Sequence, residues 1–354
     1  MICILDLGTS KISSILVKDE DTKPEVVAFS SIETSGIKTG SIINIGLISE
    51  DISKSINELE NKSGEKIKDI IVSFSGEQIS SINSTGSVII RQKEVTARDV
   101  QSALNMSSTL KVPNDKTLLY VSPNEYTIDG QPGIAEPIGM NGVRLEARTH
   151  LIYCSQNTKE NISKCIEELN DLRIKKFYFN QLGAAESVLT QDQRDLGVCL
   201  IDIGAGTTDL TVYKGGSIRF SKVFPYAGDY ITETIATSLK ITSTQAEEIK
   251  KKYGCAVLDS DSEDTLRIKG ANGNKEIEIS RKALSEVIEQ SLTRIIRHCA
   301  VCLEDNGMLS YMPTGYVLTG GTANLEGVQK LGEDLTKNNF EIGFPEVEKP
   351  YKSE

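Results

Sequence analysis

Residues 200–213 read LIDIGAGTTDLTVY, two apolar runs separated by a short turn of small residues. The β-branched residues in these runs predict two strands joined by a hairpin. Gly204 and Gly206 can supply the positive φ that a tight turn requires. The hairpin does not need Asp202, because an unpaired carboxylate at the end of a buried strand costs free energy. The carboxylate therefore indicates a ligand.

The same pattern occurs at the N-terminus. Residues 2–16 read ICILDLGTSKISSIL, with Asp6 at the position equivalent to Asp202. A third turn, in VLTGGTAN at 317–324, places two glycines between a strand and a helix. Such a pair lets the backbone approach a flat ligand closely at a helix N-terminus. Three turns of related type therefore predict one shared site.

The two acidic turns have the chemistry of a phosphate site. Backbone N–H groups of small residues form anion nests, and Lys11 adds a positive charge. Two carboxylates would repel a polyphosphate unless a cation lay between them, and Mg²⁺ held through water suits that position because it dehydrates reluctantly. We therefore expect Asp6 and Asp202 to hold hydrated Mg²⁺ over the phosphates of a nucleotide. The expected phosphate-binding residues are Gly8, Thr9, Ser10, Lys11, Gly204, Ala205, Gly206, Thr207 and Thr208.

Composition bounds the class of protein. A chain of 354 residues predicts two or more domains, and 38% hydrophobic with 25% charged residues describes a globular protein. The net charge of −11 argues against a nucleic-acid partner, since binding phosphates needs a basic surface. No apolar run is long enough to span a bilayer, and Asp6 interrupts the only apolar stretch at the N-terminus. We therefore expect a cytoplasmic protein.

The seven cysteines are scattered and odd in number, which predicts no disulfide framework. Cys299 and Cys302 form a CxxC, but no second CxxC is present to complete a zinc site. We expect buried thiols on a helix.

Apolar periodicity divides the chain into two halves that begin alike, in α/β layers. In the first half, strands are predicted over 2–7, 12–17, 26–31 and 69–73, and a helix over 48–63. Residues 84–150 differ and indicate an inserted α+β subdomain, with strands at 87–90, 116–123 and 125–128 and a helix at 96–110 capped by Thr96. Two helices (155–172, 184–189) and a strand (174–179) follow.

The second half starts at residue 196 with three strands, LGVCLIDIG, TTDLTVY and SIRFSKVF. Residues 228–296 are mainly helical, with a strand pair at 265–268 and 276–279 joined by the turn GANGN. A strand at 316–319 and a helix at 325–335 complete the pattern. The last residues, 346–354, read as a loop, so no element is expected to close the chain.

The segments DLGTSK (6–11), IDIGAGTTD (201–209) and VLTGGTAN resemble the two phosphate motifs and the adenosine motif of actin/Hsp70-type ATPases. Within that superfamily, GMNGVRLEA at 139–147 resembles a signature of the bacterial cell-division family FtsA. The resemblance covers nearly the whole chain. It implies an α/β, actin-like two-lobed ATPase fold with an inserted α+β subdomain in the first lobe, and ATP with Mg²⁺ between the lobes.

The resemblance also implies domain boundaries. The first-lobe base would comprise 1–82 and 163–195, with 336–354 as a candidate return to it, and the inserted subdomain would comprise 83–162. The second-lobe base would comprise 196–228 and 306–335, and its upper subdomain 229–305.

Further site residues follow from the resemblance. Glu247 and Lys250 match a helical pair that holds the ribose and base in Hsp70-like relatives, although Glu248 and Lys251 have the same spacing. Asn180 and Gln181 are the nearest matches to the residue that orients the attacking water, with Glu186 about a turn further on. Neither amide can act as a general base, so at most a weak ATPase is expected. The other implied nucleotide contacts are Asp209, Gly228, Gly320, Gly321 and Thr322.

The family's partners complete the expectation. The resemblance implies filaments formed by self-association, binding of the C-terminal tail of the tubulin-like FtsZ through 229–305, and contacts with later division proteins through 83–162. Members reach the inner face of the cell membrane at the division site through a C-terminal amphipathic helix, which does not appear in this sequence. Two alternatives remain open: a pilus-assembly actin homologue that binds a membrane-protein peptide, and a small-molecule kinase of the same superfamily.

Overall fold

The computed structural model describes residues 1–18, 24–109, 112–167, 169, 172–257, 264–269 and 276–345. The first lobe begins with a sheet that carries the N-terminal turn. In chain order its elements are β1 (Ile2–Leu7), β2 (Lys11–Lys18), β3 (Glu25–Glu33), β4 (Ile37–Lys38), β5 (Ser41–Ile42), α1 (Ile45–Ser63) and β6 (Asp69–Phe74). Asn44 caps α1 by accepting from the Leu47 N–H, and Gly64 ends the helix at φ 73°.

The inserted subdomain is a sheet covered on one side by a helix. Its elements are β7 (Ser80–Ile89), α2 (Ala97–Thr109), β8 (Lys116–Ile128), β9 (Gln131–Ile134) and β10 (Arg144–Ser155). The strand order is β7-β10-β8-β9. Thr96 caps α2 together with Asp99, as predicted, because each side chain bonds the other's backbone N–H. The two strands predicted over 116–128 are one continuous strand.

The chain then returns to the first sheet through α3 (Gln156–Glu167), β11 (Arg173–Phe179), α4 (Asn180–Val188) and α5 (Gln191–Leu196). The sheet order is β11-β6-β1-β2-β3. Helix α4 begins four residues earlier than the predicted 184–189, so Asn180 and Gln181 lie on its first turn. Helix α5 was not predicted, although Thr190 and Gln193 form a capping box at its start.

The second lobe repeats the first sheet's arrangement. Its elements are β12 (Val198–Ile203), β13 (Thr208–Lys214), β14 (Ser217–Phe224), α6 (Gly228–Leu239), α7 (Ser243–Tyr253), β15 (Thr265–Lys269), β16 (Glu276–Ser280), α8 (Arg281–Asp305), β17 (Tyr316–Thr319), α9 (Val328–Thr336) and β18 (Phe340–Ile342). The main sheet has the order β14-β13-β12-β17-β18. In each lobe the acid-bearing strand pairs antiparallel with the next strand and parallel with a strand that follows a helix: β1 with β2 and β6, and β12 with β13 and β17.

The end of the second lobe corrects two expectations. Strand β18 pairs parallel with β17, so 340–342 extend the second sheet. The expected return of 336–354 to the first lobe is therefore wrong for this strand, which the sequence analysis did not predict. Phe340 is fully buried and its ring stacks on Tyr316 at 4.5 Å between centroids, which holds the strand in place. The GANGN turn and residues 346–354 lie outside the described residues. The other domain boundaries stay predictions.

All seven cysteines fall within the described residues, and none forms a disulfide there. Six are buried, and Cys302 on α8 is half-buried. Burial raises the pKa of the Cys299 thiol to about 12. The prediction of buried thiols on a helix is confirmed for Cys299 and only in part for Cys302. No helix in the described ranges has the length and apolar character needed to cross a bilayer.

Gly86 on β7 packs directly against the backbone of α2. A Cβ on Gly86 would lie 1.9 Å from the Ala103 carbonyl oxygen and 2.5 Å from the Ser107 nitrogen. Because both contacts are helix backbone, Gly86→Ala must displace α2, and we expect a loss of about 2–3 kcal/mol. Thermal unfolding measures the loss of stability, and amide exchange in α2 measures the displacement of the helix. Gly183→Ala is the control, since a Cβ there meets nothing within 4 Å and favours helix by about 0.5–1 kcal/mol. Equal stability of the two variants would contradict this packing.

Candidate functional site

The two acidic turns meet between the lobes. A Cβ on Gly206 would lie 2.5 Å from the Thr9 Oγ1, so the second turn packs directly on the first. Asp6 and Asp202 end β1 and β12, and the charge of Asp6 raises the pKa of Asp202. The structure thus brings together the two carboxylates that the sequence predicted to face one another.

Burial disfavours the charged form of three aspartates here. It raises the pKa of Asp202 to about 6, with Asp6 adding to the effect and a hydrogen bond from Gln181 opposing it. Burial also raises the pKa of Asp6, against the influence of Ser73 and Lys11. Burial raises the pKa of Asp209 well above its usual value, and the negative charge of Asp202 raises it further. A cation between these groups would favour their ionised forms.

The donor set fits Mg²⁺ held through water. Asp6 Oδ1 and Gln181 Oε1 are buried and have no hydrogen-bond partner among the described residues. A buried acceptor without a partner costs free energy, and a water molecule bound to Mg²⁺ can donate the missing hydrogen bond. In the described part of the chain, no group of three or more His, Cys, Asp or Glu side chains is placed to hold a metal directly.

The backbone of the turns divides into two sets. The Gly8 N–H donates to the Lys11 carbonyl at 3.1 Å, and the Gly204 N–H donates to the Thr207 carbonyl at 3.0 Å. These two N–H groups close their own turns, so the expectation that they bind phosphate is wrong for this conformation. Five other N–H groups of the predicted set make no hydrogen bond within the described ranges and are available to an anion: those of Thr9, Ser10, Ala205, Gly206 and Thr207.

Gly228, at the start of α6, lies against the second turn. Its N–H donates to the Gly204 carbonyl at 3.0 Å, and the Asp229 N–H donates to the Ala205 carbonyl at 2.7 Å. Thr322 Oγ1 also donates to the Gly204 carbonyl, at 3.3 Å. Gly228 and Thr322, which were predicted from separate segments of the sequence, therefore both pack on the turn that contains Gly204.

The structure selects between the two Glu–Lys registers on α7. Lys250 Nζ lies 2.6 Å from Glu247 Oε2 and donates to the Gly228 carbonyl at 3.0 Å. Lys250 is 8% exposed, whereas the side chain of Lys251 is 72% exposed. Burial raises the pKa of Glu247, but the bonds from Lys250 and Thr232 outweigh it and hold that pKa below its usual value. The pair that reaches the site is Glu247 and Lys250.

The glycine pair after β17 separates into two roles. Gly320 adopts φ 88° and ψ 173°, a conformation essentially restricted to glycine. A Cβ on Gly320 would lie 2.3 Å from Asp202 Oδ1, whereas a Cβ on Gly321 would meet nothing within 4 Å. Gly320 thus packs on the carboxylate, and Gly321 begins the 3₁₀ turn that carries Thr322.

The candidates for orienting water differ in their placement. Gln181 is fully buried, and its Nε2 donates to Asp202 Oδ2 at 3.1 Å. Asn180 Oδ1 is buried with no partner among the described residues. Glu186 has a 72% exposed side chain and pairs with Arg194 on α5, so it does not join the carboxylate cluster.

Sequence reasoning missed residues that come from the segment after β6. Ser75 Oγ donates to Asp209 Oδ1 at 2.7 Å, a buried hydrogen bond between the lobes. The turn between β4 and β5 also joins the site, since the Gly40 N–H donates to Thr9 Oγ1 at 3.2 Å. Ser75 directly follows β6, which pairs parallel with β1, so it lies at the same edge of the sheet as the first acidic turn. The sequence alone contains no signal for it.

Comparison with known proteins gives consistent family matches. A family model described as "SHS2 domain inserted in FTSA" matches residues 76–153, and one described as "Cell division protein FtsA" matches 199–354. The chain is 37% identical over 347 residues to the cell division protein FtsA of Pseudomonas aeruginosa, covering 98% of this chain and 83% of that protein. It is 32% identical to FtsA of Escherichia coli, covering 96% and 83%.

Solved structures of lower identity share the fold. The PilM–PilN complex of type IV pilus biogenesis superposes with a TM-score of 0.66 at 16% identity, covering 96% of this chain and 87% of that chain. MreB5 of Spiroplasma citri bound to AMPPNP gives 0.60 at 15% identity, covering 96% and 90%. The fold is therefore actin-like, with an inserted subdomain, as the sequence predicted.

Proposed function

The chain belongs to the FtsA family of cell-division proteins, and on that premise we propose that it is an ATP-switched, actin-like scaffold of the division site. The observation that carries the proposal is the meeting of the two acidic turns, where Thr9 packs on Gly206 and the charge of Asp6 acts on Asp202. Carboxylates with raised pKa beside free backbone N–H groups suit a magnesium-bound polyphosphate.

Each residue of the site has a distinct part in this proposal. Asp6 and Asp202 would hold Mg²⁺ through water, and the N–H groups of the two turns would bind the phosphates. Mg²⁺, when bound, supplies positive charge that offsets the repulsion between carboxylates and phosphates. Glu247 and Lys250 lie beside Gly228, where they would contact the ribose and base. Structures of MreB5 bound to AMPPNP and to ADP support a nucleotide in this fold.

Hydrolysis would be slow at this site. Asp202 Oδ2 accepts a hydrogen bond from the Gln181 amide, and an amide cannot accept a proton as a general base. Gln181 would orient Asp202 and a water molecule without activating it. ATP would therefore act mainly by stabilising a closed arrangement, since a ligand that contacts both lobes shifts the population toward closure.

Closure would control assembly and partners. Filament formation is supported by the fold it shares with the double helical filament of MamK, superposed with a TM-score of 0.50. We propose that 229–305 binds the C-terminal tail of FtsZ and that 83–162 contacts later division proteins. Attachment to the inner face of the membrane would require a C-terminal amphipathic helix. A pilus-assembly role rests only on the likeness to PilM at 16% identity, and a peptide pull-down with the FtsZ tail separates the two roles.

Titration calorimetry with ATP tests the nucleotide site. We expect nanomolar-to-micromolar affinity in the presence of Mg²⁺, and a loss of at least about tenfold on chelation of the metal or in Asp202→Ala. Asp334→Ala, an exposed aspartate on α9, is the matched control and should bind as the unmodified chain does. Unchanged ATP affinity in Asp202→Ala would refute the phosphate site.

A further inference from the structure

A large polar cleft lies between the inserted subdomain and the second lobe, away from the acidic turns. One wall is formed by β7, β8 and β10, and the other by the β13–β14 turn and the segment after α8. The cleft offers about 620 Å³ of space. None of its lining residues belongs to the nucleotide site or to 229–305.

The walls of this cleft are fixed to each other by hydrogen bonds. His150 Nδ1 lies 2.7 Å from Asn83 Oδ1, and its Nε2 lies 2.9 Å from the Ser221 hydroxyl across the boundary. Asn83 Nδ2 donates to the Arg219 carbonyl at 3.4 Å, and Ser81 Oγ donates to the Ser221 carbonyl at 2.7 Å. Burial lowers the pKa of His150 to about 4, so the neutral ring makes these bonds at physiological pH. The cleft is therefore preformed, which lowers the cost of binding a ligand.

The cleft is positively charged in a protein whose net charge is −11. Its lining carries three cations, Arg148, Lys214 and Arg219, and one carboxylate, Glu125. Arg148 Nη1 lies 2.6 Å from Glu125 Oε1, so the charges of these two side chains offset each other. Lys214 makes no salt bridge among the described residues, and its ammonium lies 5.9 Å from the centre of the Tyr311 ring. Lys214 and Arg219 therefore leave an excess of positive charge that favours an anionic ligand.

The apolar part of the lining identifies the ligand further. Met308 and Tyr311 add apolar surface to the same cleft, beside Lys214 and Arg219. Phosphate and free carboxylates have no apolar part to cover this surface, whereas an acidic peptide carries carboxylates and apolar side chains together. The lining therefore suits an acidic peptide better than a small anion.

We propose that this cleft binds an acidic peptide segment of a partner protein. Aspartate or glutamate side chains of the segment pair with Lys214 and Arg219. One apolar side chain of the segment packs on Met308 and Tyr311. Because the walls come from two subdomains, the bound segment also bridges them.

Fluorescence anisotropy with the full chain tests this site. The probe is a fluorescein-labelled dodecapeptide of alternating Glu and Gly with one central Leu; matched probes carry Lys or Gln in place of Glu. We expect saturable binding of the Glu probe alone, weakening with salt. Lys214→Glu should weaken it by about tenfold or more, and Lys214→Arg should preserve it within about twofold. Tyr311→Ala is the second variant and should weaken binding without changing its salt dependence.

The control separates this proposal from the nucleotide site. Lys214→Glu and Tyr311→Ala should retain the thermal midpoint and the Mg²⁺-dependent ATP affinity of the unmodified chain. Equal binding of the Glu and Lys probes, or unchanged affinity in both variants, would overturn the proposal. Complete displacement of the probe by inorganic phosphate at physiological concentration would also overturn it, because it would show a simple anion site.

Discussion

Gly320→Ala is expected to abolish nucleotide binding and to destabilise the chain by about 3 kcal/mol or more. At φ 88° and ψ 173° an alanine is strained, which costs on the order of 1–3 kcal/mol by itself. The added Cβ would lie 2.3 Å from Asp202 Oδ1 and 2.6 Å from the Ile203 carbonyl oxygen. The Ile203 oxygen belongs to β12 and cannot yield easily, so the added Cβ must displace the Asp202 carboxylate or distort the strand. Calorimetry with Mg²⁺ and ATP, beside thermal unfolding of the nucleotide-free chain, measures both effects.

The neighbouring glycine supplies a matched control. A Cβ on Gly321 meets nothing within 4 Å, and Gly321 is not among the residues with positive φ. Gly321→Ala should therefore leave stability within about 0.5 kcal/mol. It tests the space available to the nucleotide: modest weakening of ATP binding is expected if adenosine packs on this turn. If Gly320→Ala bound ATP as tightly as Gly321→Ala does, the packing of the third turn on Asp202 would have no part in the site.

The sequence predicted the paired turns because their signals are local. Alternating apolar residues define β12 and β13, so the position of Asp202 follows directly. Gly204 and Gly206 mark the turn, but the expectation that they supply its positive φ is wrong, since neither has positive φ. Helical spacing cannot choose between Glu247–Lys250 and Glu248–Lys251, since both pairs lie three residues apart. The choice depends on which face of α7 packs against Gly228, and only the tertiary structure decides it.

Other features had no local signal at all. The hydrogen bond from Ser75 to Asp209 joins the two lobes, and either residue alone resembles an ordinary strand end. Strand β18 is three residues long and is stabilised by parallel pairing with β17, so periodicity could not reveal it. The cleft beside Lys214 likewise depends on how the inserted subdomain packs against β14. Long-range packing decides each of these features, which is why a single sequence does not reveal them.

Asp202→Asn is expected to stabilise the nucleotide-free chain at pH 7 while removing its affinity for Mg²⁺-bound ATP. The pKa of Asp202 rises from 3.8 to about 6 on folding, chiefly because of burial. A difference of about two pKa units corresponds to roughly 3 kcal/mol. Because the folded state holds the proton more tightly, this group lowers stability above pH 6 and the penalty disappears as the pH falls toward 4. Asparagine has nearly the same shape and carries no charge, so it removes the penalty at every pH.

The penalty from the Asp202 charge is isolated by comparing the unfolding of the unmodified chain with that of Asp202→Asn. Both are measured between pH 4 and pH 8 without nucleotide. Glu247, with its lowered pKa, does not appear among the causes of the Asp202 shift and largely cancels in the difference. Asp6 and Asp209 do not cancel, because the loss of the Asp202 charge relieves its repulsion with both and adds to the gain in stability at pH 7. We expect the variant to be more stable by about 2–3 kcal/mol at pH 7 and by little at pH 4. Asp334→Asn on the exposed face of α9 should show no such dependence.

Saturating Mg²⁺ and ATP should reverse the order of stability of the two proteins at pH 7, because a ligand that binds only the folded unmodified chain stabilises it. A stability gain that does not change with pH, or a variant that ATP still stabilises, would show that the charge of Asp202 is not held for the nucleotide.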